Sequence, residues 1–130
     1  MPIDAATSNI LIVDDYKTML RVIRNLLSQI GFRNIDEATD GQMALGMTQN
    51  KKYDLIISDW NMEPMTGLDF LKSLRTANNN VPFIMVTAES KTENIIAAKT
   101  AGVNNYIVKP FNADTLKGKI SAVMDGISVS

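Results

Sequence analysis

Three aspartates, Asp14, Asp15 and Asp59, sit at the ends of short apolar runs, and Lys109-Pro110 directly follows another such run. Thr87 ends a fourth. If these runs lie side by side as parallel strands, the three acids, the threonine and the lysine meet at one edge of a sheet. Three carboxylates brought that close repel one another, so either one keeps its proton or a cation shares them. Oxygen ligands without imidazole or thiolate favour Mg2+ or Mn2+, and Mg2+ usually retains water while bridging to phosphate oxygen. A lysine ammonium and a threonine hydroxyl on the same edge suit the oxygens of a phosphoryl group. A carboxylate can itself attack phosphorus and become an aspartyl phosphate. Asp59 is the expected nucleophile because it stands alone, whereas Asp14 and Asp15 form the adjacent pair suited to metal ligation. The backbone carbonyl of Asn61 is a further candidate metal ligand.

Each residue alone has a blander explanation. A single aspartate at a strand end is more often a helix cap or turn former. Thr87 and Lys109 are, singly, ordinary strand-end and surface residues, and Tyr106 is by default a half-buried strand aromatic. Asp40, with Asp36 and Glu37 nearby, reads as solvated charge and a cap, and the eight methionines as core filler. Their coincidence is what distinguishes them, since all the chemical groups fall at strand ends in one consistent phase.

The positioning elements follow from periodicity. The continuous apolar run Ile10–Val13 predicts a parallel strand covered on both faces, Leu55–Ile57, Phe83–Val86 and Tyr106–Val108 predict further strands, and Ile35–Ala38, interrupted by two acids, predicts a weaker one. Between the first two, Met19, Val22, Ile23, Leu26, Leu27 and Ile30 recur at helical spacing, with Gly31 as a stop. Helices are also predicted from Gly41 to Gln49 behind Asp40, from Gly67 to Thr76 behind Thr66, and from Ser90 to Ala101 with Gly102 as its stop. A last one runs from Asn112 to about Asp125. Strand and helix alternate five times with short connections. The pattern predicts an α/β, flavodoxin-like, doubly wound five-stranded parallel sheet of order 2-1-3-4-5, with five helices on both faces. That order makes strands one and three neighbours, and ligands in such sheets bind at the carboxyl ends of the strands. The whole of 1–130 reads as one domain, with 1–8 and 126–130 expected to fray.

Composition narrows the function. With 0 Cys and 0 His there is no thiol nucleophile, no disulfide, no imidazole ligand and no Ser-His relay. A net charge of -1 gives no reason to expect nucleic acid or an anionic membrane as partner. The N-terminus lacks the pattern of a signal peptide, and no apolar run approaches the roughly 20 residues of a membrane span. A cytoplasmic protein is expected.

With these residues assembled, the chain resembles the receiver domains of two-component response regulators over essentially its whole length. The matching stretches are I-L-I-V-D-D at Ile10–Asp15, I-I-S-D-W-N-M at Ile56–Met62, M-V-T-A-E at Met85–Glu89 and Y-I-V-K-P-F at Tyr106–Phe111. D-W-N-M, R-N-L-L at Arg24–Leu27 and E-N-I-I-A-A at Glu93–Ala98 make it most similar to the stand-alone chemotaxis members. The resemblance implies that Asp59 accepts a phosphoryl group from the histidine of a partner sensor kinase, or from a small acyl phosphate. Asp14 and Asp15, with Asp59 and the Asn61 carbonyl, would place Mg2+, and Lys109, through a cis Lys109-Pro110 bond, would contact the phosphoryl group. Thr87 would move toward it and Tyr106 would turn inward. Asn61 and Glu89 would tune its hydrolysis to a lifetime of seconds to minutes. The output face would include Ile95, Tyr106, Val108 and Lys119, and the flagellar motor switch protein is the expected partner of a monomeric regulator that is not itself an enzyme. Pro64 falls one position later than the family's common Met-Pro order, Thr66 stands where an acid is frequent, and Thr92 where a lysine would strengthen motor binding. Rival readings are a phosphate sink or relay, a Mg2+-dependent phosphohydrolase, and a flavodoxin-like cofactor binder. The last is disfavoured by acids where a flavin phosphate needs donors.

Overall fold

Alternating side chains along buried strands divide the interior between the two faces of a single sheet. The computed structural model describes residues 2–88 and 91–129. Its elements are β1 (Ile3–Asp4), β2 (Asn9–Val13), α1 (Lys17–Ile30), β3 (Asn34–Ala38), α2 (Gly41–Asn50), β4 (Leu55–Asp59) and α3 (Gly67–Thr76), followed by β5 (Phe83–Thr87), α4 (Thr92–Ala101), β6 (Asn105–Val108), α5 (Ala113–Met124) and β7 (Ile127–Ser128). The main sheet is parallel, in the order β3-β2-β4-β5-β6. Discounting β1, this is the expected 2-1-3-4-5.

Ile10, Ile12, Leu55, Ile57, Ile84, Val86 and Ile107 point to one face and pack with Leu20, Ile23 and Leu27 of α1 and Leu116 and Ile120 of α5. Leu11, Val13, Ile56, Phe83 and Met85 point to the other, against Ala44 of α2 and Phe70, Leu71 and Leu74 of α3. The buried positions of α1 recur every three or four residues, so one stripe of that helix meets the sheet. Asp40, Thr66 and Asn112 accept the backbone N–H of Met43, Asp69 and Thr115, capping α2, α3 and α5 as expected. For α4 the N-cap is Lys91, which makes no side-chain cap bond. Ser90, the expected cap, lies outside the described residues, as does Glu89. Among the described residues, no helix is long and apolar enough to cross a membrane.

The ends depart from expectation. Instead of fraying, β1 and β7 pair in parallel as a separate two-stranded sheet. Ile3 N–H donates to the Gly126 carbonyl at 3.1 Å and Ala5 N–H to that of Ser128 at 2.9 Å. Burial of Ile3 and Ala5 in the α1–α5 side of the core, with Ile127 packed against it, offsets the entropy of ordering both ends. Gly31, at φ 121°, completes the junction, because a Cβ there would stand 3.2 Å from Val129 Cγ1.

Candidate functional site

Strand register decides which side chains share the carboxyl edge. Val13 is opposite Ser58, so the next residue of each strand, Asp14 and Asp59, are brought side by side. Asp59 is opposite Val86, and Thr87 opposite Val108, which leaves Thr87 and Lys109 next along the same edge. Lys109 N–H donates to the Thr87 carbonyl at 2.8 Å, extending the ladder one step and carrying the lysine over the acids. The Lys109-Pro110 bond is cis, as the resemblance implied, and Glu63-Pro64 is cis as well.

Carboxylate oxygens of Asp14, Asp15 and Asp59 all lie within 4.8 Å of one another. Asp14 is 1% exposed and Asp59 5%, while Asp15 is exposed, so the adjacent pair presents one acid inside and one at the mouth. Lys109 Nζ lies 3.2 Å from Asp59 Oδ1 and 3.7 Å from Asp14 Oδ2. One ammonium therefore faces three carboxylates. At this separation each pair of like charges costs about 3 kcal/mol at an effective dielectric constant of ~20, and a single lysine does not cancel all of them.

The imbalance shows in the individual groups. Asp14 Oδ1 accepts the Tyr16 N–H at 2.9 Å, but Asp14 Oδ2 is buried without a hydrogen-bond partner. Burial lifts the Asp14 carboxyl from 3.8 to about 6, and the charges of Asp59 and Asp15 add to the rise against Tyr16 N–H and Lys109. Burial also raises Asp59, opposed mainly by Lys109. A buried carboxylate oxygen lacking a donor, beside two further acids, fits an oxygen-ligated divalent cation. Asn61, exposed, lines the open side with Asp15, Met62, Glu63 and Thr66 around a cavity of about 330 Å3.

The remaining residues expected to matter fall in two places. Thr87 is buried at the end of β5 beside the acids. Tyr106 is half-buried and packs against the second core cluster, with Lys119 Nζ 5.1 Å from its ring centroid. Ile95, Val108 and Lys119 are half-buried too, and the most exposed large apolar side chain of α4 is Ile96, at 58%.

Gly67 was not singled out by sequence reasoning. A Cβ there would fall 2.1 Å from the Asp59 carbonyl oxygen, so α3 can start this close to β4 only through a glycine. Gly67 N–H donates to the Trp60 carbonyl at 2.9 Å and fixes the chain just beyond Asp59. Its signal was faint: a glycine immediately behind a threonine cap, eight positions after Asp59.

Comparison with known proteins agrees with this geometry. Residues 10–121 match the family model described as the response regulator receiver domain. Chemotaxis protein CheY-3 of Vibrio cholerae is 49% identical over 89% of this chain and 91% of its own length. Chemotaxis protein CheY of Pseudomonas aeruginosa is 48% identical over 92% and 98%. Among solved structures, chemotaxis protein CheY4 of Vibrio cholerae superposes with a TM-score of 0.84 at 34% identity, covering 91% of this chain and 99% of that one. The Francisella response regulator 1452 receiver domain gives 0.84 at 32%, covering 92% and 98%. With a parallel sheet that brings acids and lysine to one edge, and a family match across most of its length, this chain belongs to the response regulator receiver domains.

Proposed function

We propose that this receiver is a phospho-switched chemotaxis regulator, charged at Asp59 and read through the α4–β6–α5 face. The observation that carries the reading is the buried Asp14 Oδ2, which has no hydrogen-bond partner and only a 3.7 Å ion pair with Lys109, beside Asp59. Asp14, Asp15, Asp59 and the Asn61 carbonyl would hold Mg2+, or Mn2+ in its place. Bound there, the cation supplies positive charge that offsets both the carboxylates and the phosphoryl oxygens.

An Asp59 carboxylate oxygen attacks phosphorus in the phosphohistidine of a sensor kinase. The new oxygen–phosphorus bond forms as the nitrogen–phosphorus bond breaks, and the departing imidazole takes up a proton. Lys109, already 3.2 Å from Asp59, donates to the phosphoryl oxygens, and the Thr87 hydroxyl approaches them as a second donor. Tyr106 follows inward, and the surface bearing Ile95, Tyr106, Val108 and Lys119 changes its affinity for a partner. Phosphorylation can shift that equilibrium only by the difference in the contacts it makes in the two states. The relatives named as chemotaxis proteins support a chemotaxis role. Within it, the regulator would be a cytoplasmic monomer that binds the flagellar motor switch and does not act as an enzyme on outside substrates. Asn61 and Glu89 would set a phosphate lifetime of seconds to minutes.

Trp60, the only tryptophan, directly follows Asp59 and tests the reading. Mg2+ and then beryllofluoride should change its fluorescence in two steps, and Asp59→Asn should lose the second. Two steps surviving in that variant would sink the proposal. Capture of flagellar switch protein only by the beryllofluoride form would support the motor as output, whereas no capture in either form would favour a phosphate sink or relay.

A further inference from the structure

At the opposite, amino edge of the sheet lies a cation of a different kind. Arg75, in the last turn of α3, makes five hydrogen bonds to neutral oxygens. Nη1 donates to the Asn79 and Val81 carbonyls, each at 2.9 Å. Nε and Nη2 donate to the Gly102 carbonyl at 3.1 and 2.8 Å, and Nη2 also reaches Asn104 Oδ1 at 3.1 Å. Asn104 Oδ1 in turn accepts the N–H of Phe83, the first residue of β5. One guanidinium thus ties the end of α3, the start of β5 and the end of α4 together. Its charge sits at the negative ends of two helices, where a cation is favoured. Gly102 has φ 98°, and a Cβ there would stand 3.1 Å from Arg75 Nε, so this joint needs the glycine twice over.

The rest of α4 is held far less firmly. Of its described side chains only Ala98 is buried, and no large one enters either core cluster. In its first turns Ile95 is only half-buried and Ile96 is 58% exposed, so little apolar area secures that end. The groove of about 530 Å3 between α3 and α4 lies beside Arg75 at the other end, lined also by Lys72, Thr76, Ala97, Thr100 and Ala101. An element fastened at one end and loosely packed along its length has one soft motion, a swing about the fastened end.

We propose that Arg75 is the pin about which α4 swings, so that rearrangement beyond Thr87 displaces the first turn of the helix while its last turn stays fixed. Arg75 is a positioning residue, and the phosphorylation-dependent half of this inference rests on the function proposed above.

Amide hydrogen exchange of the full chain tests it. In metal-free protein, Arg75→Ala should speed exchange at residues 99–103 by about tenfold or more relative to 93–97. Arg75→Lys, which keeps the charge without the fork, and Asn104→Ala should give smaller changes of the same pattern, and they decide the matter if the alanine variant does not fold. Ile30→Ala, a core variant remote from the joint, should leave the ratio between the two turns at its wild-type value. Equal acceleration of both turns in the Arg75 variants, or no change in folded ones, would overturn the pin. In wild type, beryllofluoride with Mg2+ should alter exchange at 93–97 and spare 99–103, and Arg75→Lys should extend the change to both; a wild-type response equal at both ends would also overturn it. If beryllofluoride leaves Trp60 fluorescence unchanged, the receiver chemistry fails instead, and the metal-free ratios still judge the pin.

Discussion

The two edges of the sheet handle charge in opposite ways. At the amino edge, Arg75 satisfies its guanidinium with five hydrogen bonds to four oxygens and joins three segments. At the carboxyl edge, Asp14, Asp15 and Asp59 crowd one lysine, and a buried oxygen lacks a donor. The first arrangement is complete within the chain. The second leaves like charges uncompensated, which lowers stability, and on the function proposed above a bound cation would complete it. On that reading, function would lie where the electrostatics are unfinished, and stability where they are finished.

That contrast fixes the sign of the two largest mutational effects. Arg75→Ala should cost about 2–3 kcal/mol in urea unfolding, because it leaves partly buried carbonyls without their charged donor. Asp14→Asn should do the reverse in metal-free protein at pH 7, stabilising it by about 2–3 kcal/mol. The same variant should lose its Mg2+-dependent gain in melting temperature. A destabilised Asp14→Asn would mean the carboxyl edge is not frustrated.

The same contrast has a pH signature. The Asp14 carboxyl is raised from 3.8 to about 6 on folding, so the folded chain binds more protons than the unfolded chain between those values. The favourable contribution is complete below about 4 and disappears as pH rises through 6. Asp59, raised as well, acts in the same direction. Metal-free wild type should therefore lose stability from pH 4 to 6.5, Mg2+ should restore it, and Asp14→Asn should flatten the profile. Unfolding midpoints across this range check all three.

Smaller effects sharpen the boundary. Gly67→Ala should cost about 2 kcal/mol by forcing α3 away from the Asp59 carbonyl, and should weaken beryllofluoride binding besides. Both should show in one series of melts and Trp60 titrations. Glu37→Gln breaks an ion pair with Arg24 that is more than a third exposed, and should cost no more than about 0.5 kcal/mol. Charge at the sheet's flank should matter little compared with charge at its two ends.

Much of this was legible in the residues because buried parallel strands are written as unbroken apolar runs. Ile10–Val13 and Leu55–Ile57 announced their own ends, and the acids at those ends announced the site. Gly31 and Gly102 marked where helices stop. Other features were hidden for definite reasons. A two-residue strand such as β1 has no period, and its pairing with β7 joins opposite ends of the chain. Asp14 and Asp15 look equivalent in sequence, but the geometry beyond β2 turns one inward and leaves the other in water. Arg75 reaches acceptors 27 residues away through a long side chain, which no local pattern reports. Gly67 looks like any helix-opening glycine until the Asp59 carbonyl is placed against it.

The most direct test is the intact mass of the chain after incubation with a small acyl phosphate, with and without Mg2+, followed by peptide mapping. The account predicts one added phosphoryl group, on Asp59, dependent on the metal and absent from Asp59→Asn. Modification at another residue, or uptake indifferent to Mg2+ and to Asp14, would contradict it.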